Sequence, residues 1–454
     1  MRKVITAIML SAALNVYGQD SKIEFKDIYA PVIVGVPPSD AYIGLSRMED
    51  GEIRHYNYGE RGEKLEPIYL SSRDNGLTWK EMSLPMGIPY ADTRSPLSGE
   101  YIRAMMLNRK VFIIRTEGGI NGGRTITKID DNMAIMLKPP VFFDNGTKVI
   151  IGGHGGDGLG CFSYMSEDDG RTWIKSNRVN SPKHEKGGEH KGVRWNHGAV
   201  EPTITELKDG RLWMVMRTAL DNHYQSFSSD GGLTWSEPEP SPFYATITMP
   251  TFYKLSDGRL LFFWSNTTPL PEMESATGQW DDVFTNRNAT HVAISEDDGE
   301  TWIGMRELLL DLRRDADDFA TAPGADKSVH QAQAVELEDG KVLAAVGQNK
   351  LHRKMVIFDV DWLYETYREN DFSNGLEDWS TFRYYKGIVG HCGYNRQKAE
   401  LLVEHPDKSD KSVLKIGYMP NDTLVEDRDG AVWNFPVLKD GVATIKLKAE
   451  KGSE

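Results

Sequence analysis

One eight-residue phrase occurs four times in this chain of 454 residues, at Ser72–Trp79, Ser166–Trp173, Ser228–Trp235 and Ser295–Trp302. All four copies fit S-x-D-x-G-x-T-W with no mismatch at a fixed position. Such internal repetition restricts the chain to a repeat architecture, in which each unit buries its faces against its neighbours. The phrase reads as a stiff hairpin turn. Its aspartate (Asp74, Asp168, Asp230, Asp297) accepts backbone N–H groups of the turn. Its glycine supplies a positive φ, its threonine re-enters a strand, and its tryptophan packs on neighbouring units. A calcium loop fits poorly, because that pattern needs further oxygen ligands and a closing glutamate.

A second element precedes most copies: an apolar-alternating strand, Asp-Gly, and another apolar strand. It appears at Met48–Gly51, Leu207–Gly210, Leu255–Gly258 and Leu337–Gly340. Asp-Gly between alternating runs signals a tight hairpin. Each unit therefore holds an inner strand, a DG turn, two further strands, the repeated phrase and a fourth strand, which is a propeller blade. The interval from Ser72 to Ser166 is too long for one blade, so a blade without the phrase is placed at about residues 97–132. The last unit has its DG turn at Asp339-Gly340 and ends in Met355–Leu363. The count is six. The fold class is all-β: a six-bladed propeller over 25–363, then a β-sandwich-like accessory segment over 371–454, small or incomplete, with a short helix expected over Tyr364–Asn370.

The phrase resembles the Asp-box of the sialidase superfamily, which joins the outer strands of propeller blades away from the active site. The resemblance covers roughly residues 35–363 and implies that the boxes are structural.

A net charge of −14 argues against nucleic-acid binding, which needs a basic surface. An acidic substrate would have to meet a locally basic pocket. Arg2 and Lys3, the apolar run Val4–Val16 and the small residues Val16 and Gly18 read as a signal peptide over 1–18, which implies a secreted or periplasmic protein. That run is too short to span a membrane, and no other segment approaches the needed length. Cys161 and Cys392 are expected as two unpaired thiols. No cofactor is expected, the partner is a glycan or oligosaccharide, and the oligomeric state is not legible.

In a propeller the pocket lies on the central axis, lined by the starts of the inner strands. At one register, eight residues before the DG aspartate, stand Tyr42, Glu201, Met249 and Gln331. The stretch from Glu201 to Arg217 resembles the sialidase motif in which a glutamate supports the nucleophile and an arginine follows on the next strand. The resemblance implies that Glu201 polarises a partner and Arg217 takes a substrate carboxylate in bidentate fashion. The plain alternative is a strand-end salt bridge. Arg287 sits where the third sialidase arginine is expected.

Elsewhere the pattern departs from the superfamily. The place of the first arginine reads Ala41-Tyr-Ile-Gly-Leu45, leaving Arg103 as a substitute, and the place of the tyrosine nucleophile reads Ser328-Val-His-Gln-Ala332. Glu60 and Glu63 are the only acids in the loop expected to hold the acid/base aspartate. Histidines fill the gap: His154 in a glycine-rich loop, His197 just before Glu201, and His330 at the head of the last blade. A histidine beside a glutamate suits acid–base work near neutrality. The three could also hold a metal with Glu201, although no spacing favours it. Trp195, Trp264 and Tyr56 are candidate sugar-stacking surfaces.

The expected function is exo-acting glycoside hydrolysis releasing a terminal acidic sugar, with sialic acid as the superfamily default. The alternatives are a polysaccharide lyase or histidine-based glycosidase on the same propeller, and a non-catalytic glycan-binding propeller.

Overall fold

The computed structural model describes residues 23–36, 44–56, 68–83, 93–117, 123–135, 137–156, 158–184, 197–245, 247–266, 289–310, 329–347, 353–376, 378–384, 396–397, 401–417, 428–437 and 440–449. The signal-like N-terminus and Cys392 lie outside them.

Among the described residues a 3-10 turn at Phe25–Asp27 precedes the first strand, β1 (Val32–Gly35). Blade one follows as β2 (Leu45–Arg47), β3 (Ile53–Tyr56), β4 (Ile68–Ser72) and β5 (Lys80–Ser83). Blade two is β6 (Thr93–Arg94), β7 (Tyr101–Leu107), β8 (Lys110–Thr116) and β9 (Arg124–Asp130). Blade three is β10 (Val141–Phe143), β11 (Lys148–His154), β12 (Cys161–Ser166) and β13 (Ile174–Lys175). Blade four is β14 (Val200–Glu206), β15 (Leu212–Arg217), β16 (Asn222–Ser228) and β17 (Glu239–Tyr244). Blade five is β18 (Thr251–Lys254), β19 (Leu260–Trp264), β20 (Ala289–Ser295) and β21 (Ile303–Leu310). Blade six is β22 (Gln333–Glu336), β23 (Lys341–Val346) and β24 (Lys354–Asp359), and β1 supplies its fourth strand by pairing antiparallel with β24. Six four-stranded antiparallel sheets thus stand in a ring, and the N-terminal strand closes it.

The core lies in layers between blades. Apolar clusters join blades three and four, four and five, five and six, and six and one. Middle strands are covered on both faces, which is why β15, β19, β20 and β23 are buried at every residue rather than at alternate ones.

The four boxes share one hydrogen-bond scheme. The glycine N–H donates to the serine Oγ at 2.8–2.9 Å, and the threonine N–H donates to the aspartate at 2.8–3.0 Å. The threonine hydroxyl donates to the second carboxylate oxygen at 2.5–2.7 Å. The residue before each glycine also has positive φ; it is Asn75, Asp169, Gly231 or Asp298, the types that tolerate this region. Each box glycine docks on the second strand of the preceding blade: Gly76 on Leu343, Gly170 on Ile102, Gly232 on Ile150 and Gly299 on Trp213. The boxes are therefore blade-to-blade joints whose aspartates are committed within the turn.

This gives a stability prediction. Gly258 lies in a DG turn at φ +92, and a Cβ added there would meet nothing within 4 Å, so Gly258→Ala should cost only the left-handed strain of about 1–2 kcal/mol. Gly299 has φ +86 and its added Cβ would overlap the rigid Trp213 ring. Gly299→Ala should add about 1–3 kcal/mol of overpacking to that strain. Equal losses for the two variants in urea unfolding would show that the boxes do not lock adjacent blades.

After β24 the chain forms a 3-10 helix, Val360–Tyr364, capped by the Asp359 side chain on the Asp361 N–H. The helix expected over Tyr364–Asn370 is thus displaced: the cap lies at Asp359, and residues 365–370 are irregular. The C-terminal segment forms a three-stranded sheet and a hairpin, from β25 (Trp379–Tyr384), β26 (Arg396–Gln397), β27 (Leu402–His405), β28 (Lys408–Leu414) and β29 (Arg428–Trp433). It attaches to the outer strand of blade five. Gly304 and Val437 exchange backbone bonds of 3.0 and 2.7 Å, and the Asn434 amide brackets Glu307.

Candidate active site at the propeller axis

The inner strands β2, β14, β18 and β22 meet around the axis. Side chains stitch them together: Thr203 Oγ1 accepts the Phe252 N–H at 2.9 Å, and Gln333 Oε1 accepts the N–H groups of Gly44 and Leu45 at 2.6 and 3.0 Å. The end of the ring opposite the boxes collects the histidines. His55, His154, His223, His291 and His330 all stand there, and all five are buried.

Glu201 is the centre of the cluster. It follows the first residue of β14 at a point where the register to β15 slips, and its φ is +51, a strained value for a glutamate. Val200 pairs with Arg217, so the hairpin brings the two charges to the same end. Arg217 Nη1 donates to both Glu201 oxygens, at 3.0 and 2.9 Å. Both residues are buried. Burial pushes the Glu201 carboxyl up, but Arg217, with His154, His330 and Lys138 behind it, outweighs this and holds it well below the usual carboxylate range.

Two histidines flank this pair in a defined tautomer. His154 Nδ1 accepts the Glu201 N–H at 3.1 Å, and His330 Nδ1 accepts the Met249 N–H at 3.2 Å. A backbone N–H only donates, so each ring bears its proton on Nε2. Both are built as hydrogen-bond donors through Nε2–H. Burial also pulls His154 down to about 4, with Glu201 opposing. The expectation of a loop position for His154 is corrected: it ends strand β11, whose Gly152 packs on Pro202 of β14 and so lets blade three approach Glu201.

His197 Nδ1 lies 2.7 Å from the Gly198 carbonyl, a bond to the backbone of its own segment. Gln331 is buried with φ +62, next to His330. Arg103 stands two residues into β7 from the turn on the box side, level with Met214 of blade four, so its backbone is not at the end where Glu201 lies. Trp264 and Tyr56 are 2% and 0% exposed, packed within the blades rather than open to a sugar. Tyr42, Trp195, Arg287, Glu60 and Glu63 lie outside the described residues. Cys161 is a free, buried thiol on β12, raised well above its ordinary value by burial. Among the described residues no three His, Cys, Asp or Glu side chains are grouped to hold a metal. Among those residues, also, no helix is long and apolar enough to cross a membrane.

Sequence reasoning missed Lys138 and His223. Lys138 extends the inner edge of blade three, its N–H donating to the Gly152 carbonyl at 3.1 Å. Its Nζ contacts Met249 Sδ of blade five at 2.7 Å. Burial pulls it down to about 8 against the attraction of Glu201. Its signal was faint: it is the only charge between Asp131 and Asp144. His223 is the second residue of β16, and burial, with Arg217 adding, lowers it to about 3.

Six blades locked by glycine-centred Asp-box joints define an Asp-box repeat propeller. Residues 131–316 match the family model described as "BNR repeat-like domain". Among solved structures, the Hadza microbial sialidase Hz136 is similar at 14% identity and TM-score 0.45, covering 70% of this chain and 65% of its own. The chain thus spans under two thirds of that sialidase. A protein of unknown function from Dyadobacter fermentans is similar at 14% identity and TM-score 0.44, covering 73% of this chain and 97% of its own. The NanB sialidase of Streptococcus pneumoniae is similar at 12% identity and TM-score 0.45, covering 73% and 71%. No curated protein matches the sequence.

Proposed function

We propose that this propeller is a secreted, exo-acting glycoside hydrolase that releases a terminal acidic sugar, with sialic acid as the superfamily's default substrate. The observation that carries the reading is the buried Glu201 carboxylate, gripped at both oxygens by Arg217 and held ionised by the positive groups around it. A carboxylate held ionised this firmly cannot serve as a general acid. Its fixed negative charge instead suits the positive charge that develops on a sugar ring as the glycosidic bond breaks. The Nε2–H groups of His154 and His330 suit polarisation of oxygens on the sugar or leaving group. Neither ring, with Nδ1 already accepting a backbone N–H, is set up as a base. Arg217 holds Glu201 in register and contributes to binding, together with Arg287, Tyr42, Gln331 and Trp195 where the substrate reaches them.

The test is turnover on a panel of terminal acidic glycosides, wild type beside Glu201→Gln. The variant should lose about 10²–10³ in kcat on the substrate that wild type cleaves. Release of an unsaturated sugar would replace hydrolysis by elimination. Sugar binding without turnover on any glycoside would replace the enzyme by a lectin.

A further inference from the structure

The proposed reading gives the ammonium of Lys138 no role toward the ligand. It is contributed by blade three, reaches across to blade five, and lies beside Glu201 of blade four. Its side-chain contact is the thioether of Met249, a weak acceptor for an ammonium. Among the described residues Glu201 is the only carboxylate that acts on it, and both oxygens of Glu201 are bonded to Arg217. A half-buried cation with a sulfur for a partner is a poor structural element, because a desolvated charge needs a paired anion to offset its cost. Lys138 is half-buried on the inner edge of blade three.

We propose that Lys138 is the anion anchor of the axial site and takes the carboxylate of an acidic sugar. This rests on the reading that the site binds a sugar, and it assigns the selectivity for acidic over neutral sugars to one residue of blade three. Arg217 then serves Glu201, and Lys138 serves the ligand.

The anchor has a pH signature. The groups around Lys138 are Glu201 on β14, Cys161 on β12 and His154 on β11, with Met249 against its Nζ; Arg217 and His330 act on Glu201, and Arg178 on His154 and Cys161. Between pH 6 and 10 Glu201 stays ionised, His154 stays neutral, the Cys161 thiol stays protonated and the arginines stay charged. Lys138 itself, lowered by burial, changes charge around pH 8.

The test measures binding of D-glucuronate and N-acetylneuraminate, with glucose and N-acetylneuraminate methyl ester as neutral counterparts, to wild type, Lys138→Met and Lys138→Arg by calorimetry at pH 7 and 9.5. Wild type should prefer the acids at pH 7 and lose about 30-fold in acid affinity at pH 9.5, as the protonated fraction falls. Lys138→Met should bind the acids at pH 7 no better than wild type does at pH 9.5, with neutral sugars unaffected. Lys138→Arg should keep the preference and lose its pH dependence. The melting temperature of Lys138→Met should hold or rise, since the substitution removes a half-buried charge and keeps the side-chain volume. Equal acid binding by wild type and Lys138→Met would overturn the anchor and leave the acidic-sugar reading standing. Binding of neutral sugars alone, or of none, would overturn both.

Discussion

Arg217→Met should lower the free energy of unfolding by about 3–5 kcal/mol at pH 7, the loss expected when one partner of a buried ion pair is removed and the other charge stays behind. Glu201 would then be an enclosed carboxylate without its principal cation. The double variant Glu201→Gln/Arg217→Met should recover most of that loss, so a double-mutant cycle should show strong coupling. The pH dependence follows from the direction of the Glu201 shift. Its folded pKa is depressed below the unfolded value of about 4.3, so the unfolded chain binds the extra proton at low pH. The stabilisation is fully present above that unfolded value and is lost as pH falls toward the folded one. In Arg217→Met the main cause of the depression is gone and burial pushes the carboxyl up, so Glu201 takes a proton more readily on acidification. The gap between wild type and variant should therefore narrow from pH 7 to pH 4 in urea titrations. A gap below about 1 kcal/mol at pH 7, or one unchanged at pH 4, would mean that the pair is a solvent-relaxed contact.

The second large effect concerns the two locked histidines. On the glycoside that wild type cleaves, His154→Ala and His330→Ala should each lower kcat by about 10²–10³, the range seen when one preorganised donor is removed. Two amide replacements separate the possible reasons. Glutamine can place a donor near the Nε2 position, whereas asparagine reproduces only the acceptor near Nδ1. Better rescue by glutamine fits a donor role toward the substrate. Better rescue by asparagine would mean that the rings serve only to hold the Glu201 and Met249 backbone. His154 should give the wild-type profile no break near about 6.5, where a free histidine titrates. For His154 the acidic limb should lie near 4, where the ring at last takes its second proton.

Much of the fold was readable because its punctuation is local. The Asp-box and the DG turn are short phrases whose residue types are set by positive φ and by side-chain bonds within five residues, so four copies sufficed to mark blades and to place a blade without a box between Ser72 and Ser166. The pairing of β1 with β24 was not readable. Val32–Gly35 carries no turn signal, and its partner is chosen by ring closure across the whole propeller. The site divides along the same line. Glu201 and Arg217 belong to one hairpin, so their juxtaposition follows from the length of that hairpin. Lys138 comes to the same place from another blade, through a proline-interrupted edge that pairs with Gly152, and nothing near it in the chain signals that contact. The glycine-rich run around His154 suggested a loop for a related reason: Gly152 and Gly153 keep a strand thin where two blades crowd together, and that requirement comes from the neighbour.

The clasp of β1 on β24 also sets an order of assembly during synthesis. Blades one to five draw their strands from consecutive chain, so each can close as it leaves the ribosome. Blade six takes its outer strand from the first part of the propeller to be made and its other three from the last. At ~5–20 residues per second, residues 32–35 wait on the order of tens of seconds for their partner. A strand left waiting is an invitation to pair with another nascent chain. Four residues with an irregular register at Gly35 offer such a competitor little ladder to grip.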